Sequence, residues 1–248
     1  MKQEIKEDYY KTFEKGRRLK PRLYDKDYCL LKSTVKEIKY FIDKYVDEYS
    51  LVLDFGCGAK PYEELFPSNV KYLGIDVGSN PMADISINTN EKIPIENNSA
   101  DVILSTFVAY LIPEFTQYLD ECRRMVKDEG LLFITCPGTW TFHPESGGDY
   151  YRFTQGGMEY ILNKAGFEIV KISPMVGTLG VGLHLRQLVL NSWLKRIHLG
   201  FLTFPLNVFT NLRIIFDDII SPEGTKLSSP AGFAVIARAK KTLNNKIL

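Results

Sequence analysis

The chain has 248 residues, 45% of them hydrophobic and 25% charged; it is long and apolar enough to bury a full core, which excludes a disordered or fibrous protein. Its 31 Lys and Arg against 30 Asp and Glu leave a net charge of +1, without the basic excess that gripping a nucleic-acid backbone requires. The 4 cysteines (Cys29, Cys57, Cys122, Cys136) are scattered, with no Cys-x-x-Cys pair, which argues against a zinc site or disulfide scaffold and for a reducing compartment.

Residues 1–22 are polar and lean basic, with Tyr9, Tyr10 and Phe13 among them; they read as a surface helix or a flexible arm, without the apolar run of a secretory leader. From Asp27, the residues Leu31, Val35, Ile38, Ile42, Tyr45 and Val46 recur at steps of three and four, which predicts an amphipathic helix ending near Ser50. The period then changes. Leu51-Val52-Leu53 is a short apolar run closed by Asp54-Phe55-Gly56-Cys57-Gly58, the pattern of a buried parallel strand entering a glycine loop. Pro61 stands where a first helical residue belongs, ahead of Tyr62–Phe66.

Further strands are predicted at Val70–Ile75, ending at Asp76, at Ala83–Ile87 and at Val102–Leu104. Phe115–Val126 carries Tyr118, Leu119, Cys122 and Val126 on one helical face, with Gly130 expected as its stop. Leu131–Thr135 is a fifth strand. Thr154 is placed to cap a helix bearing Met158, Ile161, Leu162 and Ala165, which Gly166 ends. Phe167–Ile172 and Gly232–Ala237 complete the strands. This alternation implies an α/β protein with a parallel sheet and helices on both faces.

Residues 174–231 break the rhythm with apolar, patchily helical sequence (Leu185, Leu188, Val189, Trp193; then Leu206, Val208, Phe209, Leu212, Ile215, Phe216). Between Pro174 and Arg213 stand the cations Arg186, Lys195, Arg196 and Arg213, and no acid. The insertion is read first as a helical lid over the site, and second as an interfacial surface toward anionic lipid or a lipid-linked acceptor. Leu199–Thr210 is too short to span a bilayer, and Pro205, Asn207, Asn211 and Arg213 break up the wider window.

In an open parallel sheet, ligands bind beyond the carboxyl ends of the strands, near the point where strand order reverses. Asp54-x-Gly56-x-Gly58 lies there, its glycines leaving room for a ligand against the backbone. Asp76 follows about 20 residues after the first glycine, where a carboxylate can accept both hydroxyls of a ribose. A dinucleotide site shares these features, but the third glycine of G-x-G-x-x-G is missing, since Ala59-Lys60-Pro61 follows. Asp54 also opposes a pyrophosphate, whereas it favours a ligand carrying an ammonium and a sulfonium, such as S-adenosylmethionine (SAM). Two rival motifs read as structural. Tyr160 and Lys164 have hydride-transfer spacing but lie on an amphipathic helix, and Cys136 has no partner motif after the fourth strand.

The runs VLDFGCGAKPY, YLGID, ADISINTNEKIPIENNSADVIL and GLLFITCPG, in this order, resemble the class I SAM-dependent methyltransferases of the small-molecule type, over roughly residues 30–172. The resemblance implies a Rossmann-like, doubly wound sheet of seven strands, the last antiparallel. It would lie in a single domain: 1–50 a helical cap, 51–173 the SAM-binding core, 174–231 the insertion, 232–240 the last strand. By the same resemblance, Gly56, Cys57 and Gly58 line the methionine part of SAM, Asp54 holds its amino group, and Asp76, with Val77 beside it, takes the ribose hydroxyls. Asn88 falls where relatives often have an adenine-contacting acid, with Asp84 as its rival. Ser105, opening the loop after the fourth strand, is counted with the cofactor site, although the Glu-His common there in relatives is absent.

A second landmark, His143-Pro144-Glu145-Ser146-Gly147-Gly148-Asp149-Tyr150-Tyr151-Arg152-Phe153-Thr154, resembles the H-x-P-x-D-Y-x-R-x-T signature of a glycan-associated methyltransferase subgroup, with a longer Pro-to-Asp spacing. It follows the fifth strand and is expected to overhang the methyl donor. A hydroxyl acceptor benefits from a base that removes its proton as the new bond forms. His143 is the first choice, because imidazole titrates nearest neutral pH, and Asp149 the second. Arg152 is placed either to clamp an anionic part of the acceptor or to pair with Asp149 within the loop. The expectation is methyl transfer to oxygen on a small-molecule or glycan-related acceptor, with no nucleic acid and no metal. The chain is expected in the cytoplasm, with peripheral contact at the inner membrane surface through 185–216 as the variant. The alternatives are a nicotinamide-dependent oxidoreductase and a non-catalytic SAM-binding adaptor.

Overall fold

A computed structural model of the chain describes residues 15–78, 80–88, 92–142 and 148–241. Seven strands, β1 (Leu51–Phe55), β2 (Lys71–Val77), β3 (Ile85–Ile87), β4 (Ala100–Thr106), β5 (Val126–Pro137), β6 (Phe167–Met175) and β7 (Gly232–Ala239), form a sheet in the order β3-β2-β1-β4-β5-β7-β6. β7 runs antiparallel to β5 and β6, and the remaining pairings are parallel. Strand order reverses between β1 and β4, so the crevice for a ligand opens above those two strands.

The helices are α1 (Lys15–Leu19), α2 (Tyr28–Tyr45), α3 (Phe115–Met125), α4 (Gln155–Lys164), α5 (Thr178–Arg196), α6 (Thr203–Ile220) and α7 (Glu223–Ser228). They divide between the sheet's faces because successive strand residues point to opposite sides. Leu53 and Phe55 pack with Phe115, Leu119, Cys122, Met158 and Leu162 of α3 and α4. Val52 packs with Ile38, Phe41 and Ile42 of α2, and Ile214 of α6 joins the same cluster. Phe41 and Phe133 of β5, both fully buried, meet with ring centroids 5.2 Å apart and fasten α2 to the sheet.

Three local expectations are corrected. The helix from Asp27 stops at Tyr45, because Val46 turns extended (φ −105°, ψ 118°) and residues 47–50 form a turn. Pro61 does not open an α-helix; a single 3-10 turn, Glu63–Leu65, follows. Phe66 is extended there (ψ 150°), as a residue preceding a proline must be, and Pro67 ends the helical path. Gly130 does not stop α3, which ends at Met125 as Val126 passes straight into β5. Ala100 pairs with Val126 but Val102 pairs with Leu131, so the intervening residues bulge out. A Cβ on Gly130 would lie 2.8 Å from a methyl of Val126 and 3.0 Å from the carbonyl of Asp101; close approach within that bulge is why the residue is glycine.

Other expectations stand. Thr154 caps α4 by accepting a hydrogen bond from Gly157 N at 3.1 Å, and Gly166 takes a positive φ of 83° just beyond it. The insertion forms the helical hairpin α5–α6 followed by α7, beginning after β6 at Met175. It packs beside α2 rather than across the crevice above β1 and β4, and Leu188 borders a small cavity next to that crevice.

Candidate active site

A cavity of about 450 Å³ opens at the carboxyl ends of β1, β2 and β4, within the range of small-molecule sites. Gly56, Cys57 and Gly58 form one wall, Asp76 and Val77 another, and Thr106, Phe107 and Val108 a third. Gly56 has a φ of +72°, and a Cβ there would sit 2.3 Å from Cγ2 of Val108, so turn and packing both demand glycine. Gly58 also has a positive φ, +51°, but nothing within 4 Å of an added Cβ: its openness serves the cavity.

Asp76 ties the two loops together. Its Oδ2 accepts from Gly58 N at 3.0 Å and from Asn80 Nδ2 at 2.6 Å, and its Oδ1 accepts from Val77 N at 2.8 Å. Asn80 donates as well to Gly58 O at 2.8 Å. A carboxylate offers about four lone-pair sites, three of which are engaged here, so a diol at Asp76 has to displace the Asn80 amide from it.

Asp54 lies beneath the glycine loop and is 1% exposed. Tyr72 donates its hydroxyl to Oδ2 at 2.6 Å, while Oδ1 is buried with no hydrogen-bond partner among the described residues. Burial pushes the carboxyl up to about 7 against the opposing Tyr72 hydrogen bond, and Asp76 adds to the rise. A buried carboxylate oxygen without a donor is costly unless something arrives to satisfy it. A ligand ammonium, directly or through a water, meets that need. The guanidinium of Arg18, on α1, lines the same cavity and suits a carboxylate. The residues present fit SAM, whose amino-acid end carries both charges: Arg18, the glycines and Asp76 line the cavity and would hold it, while Asp54, which is not among the lining residues, would act from beneath the loop.

Of the remaining cofactor assignments, three fall outside the cavity lining. Asp84 does not line the cavity; it forms an ion pair with Lys60 and accepts from Gly74 N at 2.6 Å. Burial pushes its carboxyl up, but Lys60 and the Gly74 amide outweigh burial and hold it below the usual range. Asn88 is exposed just past β3 and outside the lining, whereas Ile87 contributes to it. Ser105 is fully buried beside Tyr118 and does not line the cavity. Cys57 does line the cavity, and burial raises its thiol.

A second cavity, about 220 Å³, adjoins the first; Arg18 and Phe107 line both. Its walls include Tyr110, Trp140, Thr141 and Leu188, with Arg17 and Lys26 at its cationic side. Phe107 holds a left-handed conformation, φ 54°, fixed by hydrogen bonds from its N–H to Thr135 O (3.1 Å) and Oγ1 (3.0 Å). Backbone strain of this kind collects at working sites. Asp149 and Arg152 form a two-pronged ion pair whose carboxylate is buried; Asp149 Oδ2 accepts from Nη2 at 2.7 Å. Arg152 also donates to Thr141 O at 2.8 Å and stands over Tyr110, 5.9 Å from its centroid. The pair thus braces the wall that Tyr110 and Thr141 give to the smaller cavity. His143 lies outside the described residues. Arg18, Asn80, Phe107, Tyr110 and Trp140 escaped the sequence reading; the basic lean of residues 1–22 was the one signal, for Arg18.

A larger cavity, about 690 Å³, lies between α2, β6 and the insertion. It touches neither the glycine loop nor Asp76, and so is not the crevice of this fold.

Residues 53–134 match a family model described as a methyltransferase domain. No curated protein matches the sequence. Among solved structures, the cyclase SpnF is 14% identical, with 86% of this chain and 83% of that chain covered and a TM-score of 0.55. Phosphoethanolamine N-methyltransferase 2 of Haemonchus contortus, bound to phosphomonomethylethanolamine and S-adenosylhomocysteine, is 17% identical; the match covers 85% of this chain and 53% of that one, with a TM-score of 0.53. A SAM-dependent methyltransferase of Methanosarcina mazei is 15% identical, with 82% and 98% covered and a TM-score of 0.52. At such identities the likeness is one of fold. The methyltransferase domain matched over residues 53–134, from β1 to β5, lies in a sheet of this order with a glycine loop and an acid at its crevice, and together these support a SAM-dependent methyltransferase.

Proposed function

We propose that the enzyme methylates a hydroxyl oxygen of a small-molecule or glycan-related acceptor held in the 220 Å³ cavity. The observation that carries this reading is the shared wall: Phe107 and Arg18 border both cavities, so an acceptor in the smaller one lies next to the cofactor crevice. When bound, SAM supplies a methyl group made electrophilic by its sulfonium. Methyl transfer is an in-line displacement, and what the chain contributes is chiefly alignment. Trp140 and Tyr110 offer flat faces to a ring, and Arg17, Arg18 and Lys26 favour an acceptor with negative charge. Arg17 is engaged with Asp27, which lines the same cavity, at 2.6 Å to Oδ1. The acceptor proton passes to a base, for which His143 is proposed on its chemistry, while Asp149 and Arg152 act as positioning residues.

The test is calorimetry followed by turnover. SAM and S-adenosylhomocysteine should bind and NAD(H) should not; methyl transfer should then be read from a panel of hydroxylated acceptors with and without anionic groups. Binding of NAD(H) in place of SAM would overturn the cofactor reading. Transfer to nitrogen acceptors alone would overturn the oxygen assignment.

A further inference from the structure

The α5–α6 hairpin is built inside out. Its buried positions include His184, Gln187 and Asn191 on α5 and Asn207, Asn211 and Asp217 on α6. Amides form a ladder across the seam: Asn191 donates to Asn207 at 2.6 Å, Asn207 donates back at 3.1 Å, and Gln187 donates to Asn207 at 3.1 Å. Asn207 donates further to Tyr24 O at 2.9 Å, and Asn211 to Leu23 O and Asp25 O, both at 2.8 Å, which fastens the hairpin to the segment after α1. The opposite arcs are apolar and exposed. Val189 and Trp193 of α5 are 62% and 55% exposed, and Phe209 and Ile219 of α6 are each 75% exposed. At 3.6 residues per turn, the exposed apolar positions of α6, from Phe204 to Ile220, spread over about 160° of its circumference, opposite the amides.

A helix on a water-soluble surface has the reverse polarity. Polar side chains inside and an apolar arc outside match a helix whose outer face lies in the headgroup–acyl boundary. Charge selects the occupant. Arg186, Lys195 and Arg196 are exposed beside the apolar arcs, and no acid lies between Pro174 and Arg213. Arg213 pairs with Asp217, yet its side chain stays 58% exposed. A second copy of the chain fits less well, since a two-fold contact sets like charges against each other. No helix among the described residues is long and apolar enough to cross a membrane.

We propose that the outer face of α5–α6 docks this protein on an anionic lipid surface, with Trp193, Phe209, Phe216 and Ile219 in the acyl boundary and Arg186, Lys195 and Arg196 at the headgroup phosphates. Leu188, on the same α5, borders the smaller cavity. The docking does not rest on the acceptor assignment.

Sedimentation of the full chain with vesicles tests it, using phosphatidylcholine alone and phosphatidylcholine mixed with phosphatidylglycerol. The mixed vesicles should pellet the protein; Phe209→Asp with Ile219→Asp should reduce pelleting by about tenfold or more, and Lys195→Glu with Arg196→Glu should remove the preference for the anionic lipid. Calorimetric SAM affinity should stay unchanged in every variant, since these residues lie away from the crevice. A protein that stays in solution with anionic vesicles overturns the proposal. So does light scattering that shows a dimer dissolved by the Phe209 and Ile219 changes without any vesicle binding, which would make a second copy the occupant.

Discussion

Tyr72 and Asp54 share one hydrogen bond, 2.6 Å long, and it satisfies only one of the two buried carboxylate oxygens. The vacant oxygen makes Asp54 sensitive to both protons and ligand. Its folded-state value of about 7 stands above the ordinary 3.8, so its contribution to stability is full below about pH 4 and is lost as pH rises through 7. A ligand ammonium prefers the ionised carboxyl. SAM affinity should therefore rise between pH 6 and 8 while the stability contributed by this group falls. Calorimetry across that interval checks the first trend, and Asp54→Asn should flatten it; an identical slope in the variant would sink the assignment.

Asp76 and Asn80 give a second expectation. Asp76→Ala removes acceptors for Gly58 N, Val77 N and the ribose, and should weaken SAM binding by roughly 10- to 100-fold, the scale of one or two charge-assisted hydrogen bonds. Asn80→Ala clears the amide that a diol must displace but loosens the turn it bridges, so it should change affinity far less than Asp76→Ala. Equal losses in the two variants would mean that Asp76 acts only by shaping the loop.

The glycines of the loop should separate by mechanism. Gly56→Ala meets Val108 and also a positive φ, and should cost about 1–3 kcal/mol in denaturant unfolding. Adding Val108→Ala should recover part of that loss, the steric part. Gly58→Ala has free space and should cost less stability, with its effect concentrated in SAM affinity.

Arg152 braces a wall, and its variants should betray that role. Arg152→Ala leaves the buried Asp149 carboxylate without its guanidinium and should lower stability by on the order of 3 kcal/mol. Arg152→Lys keeps the charge but loses the fork to Asp149 and Thr141 O, and should raise the acceptor KM with a smaller change in kcat. A large fall in kcat at unchanged KM would instead put Arg152 in contact with the reacting atoms.

His184 bears on acid stability. It is fully buried against Trp140, with ring centroids 4.8 Å apart, and burial lowers its value to about 4 from 6.5. Its neutral form contributes stability above pH 6.5 that is lost as pH falls toward 4. His184→Phe should make melting temperature less pH-dependent across that window; an unchanged dependence would locate the acid sensitivity elsewhere.

The strands were legible because each was a local run: Leu51–Leu53, Val102–Leu104 and Leu131–Thr135 carry their own hydrophobic pattern and turn residues. The glycine loop and Asp76 were legible for a related reason, since spacing along one strand-loop-strand unit sets their separation. Asp84 was placed with the cofactor by resemblance, as the rival of Asn88, but it pairs with Lys60, in the turn after the glycine loop, and does not line the cavity. Gly130 shows the limit from the other side. A glycine after a helix has the pattern of a stop, whereas its actual neighbour, Asp101 O, belongs to another strand.

From its sequence alone this chain has an α/β core, the place of its cofactor loop and a basic, acid-free insertion, because periodicity, glycine spacing and charge are properties of contiguous residues. Only the tertiary structure brings Arg18 from the N-terminal helix to the cofactor cavity, sets Asn80 on Asp76, and turns the amides of the insertion inward and its aromatics outward. These depend on which helix face finds a partner. That outcome is decided by contacts between segments as far apart as Leu23 and Asn211, whose pairing no local pattern encodes.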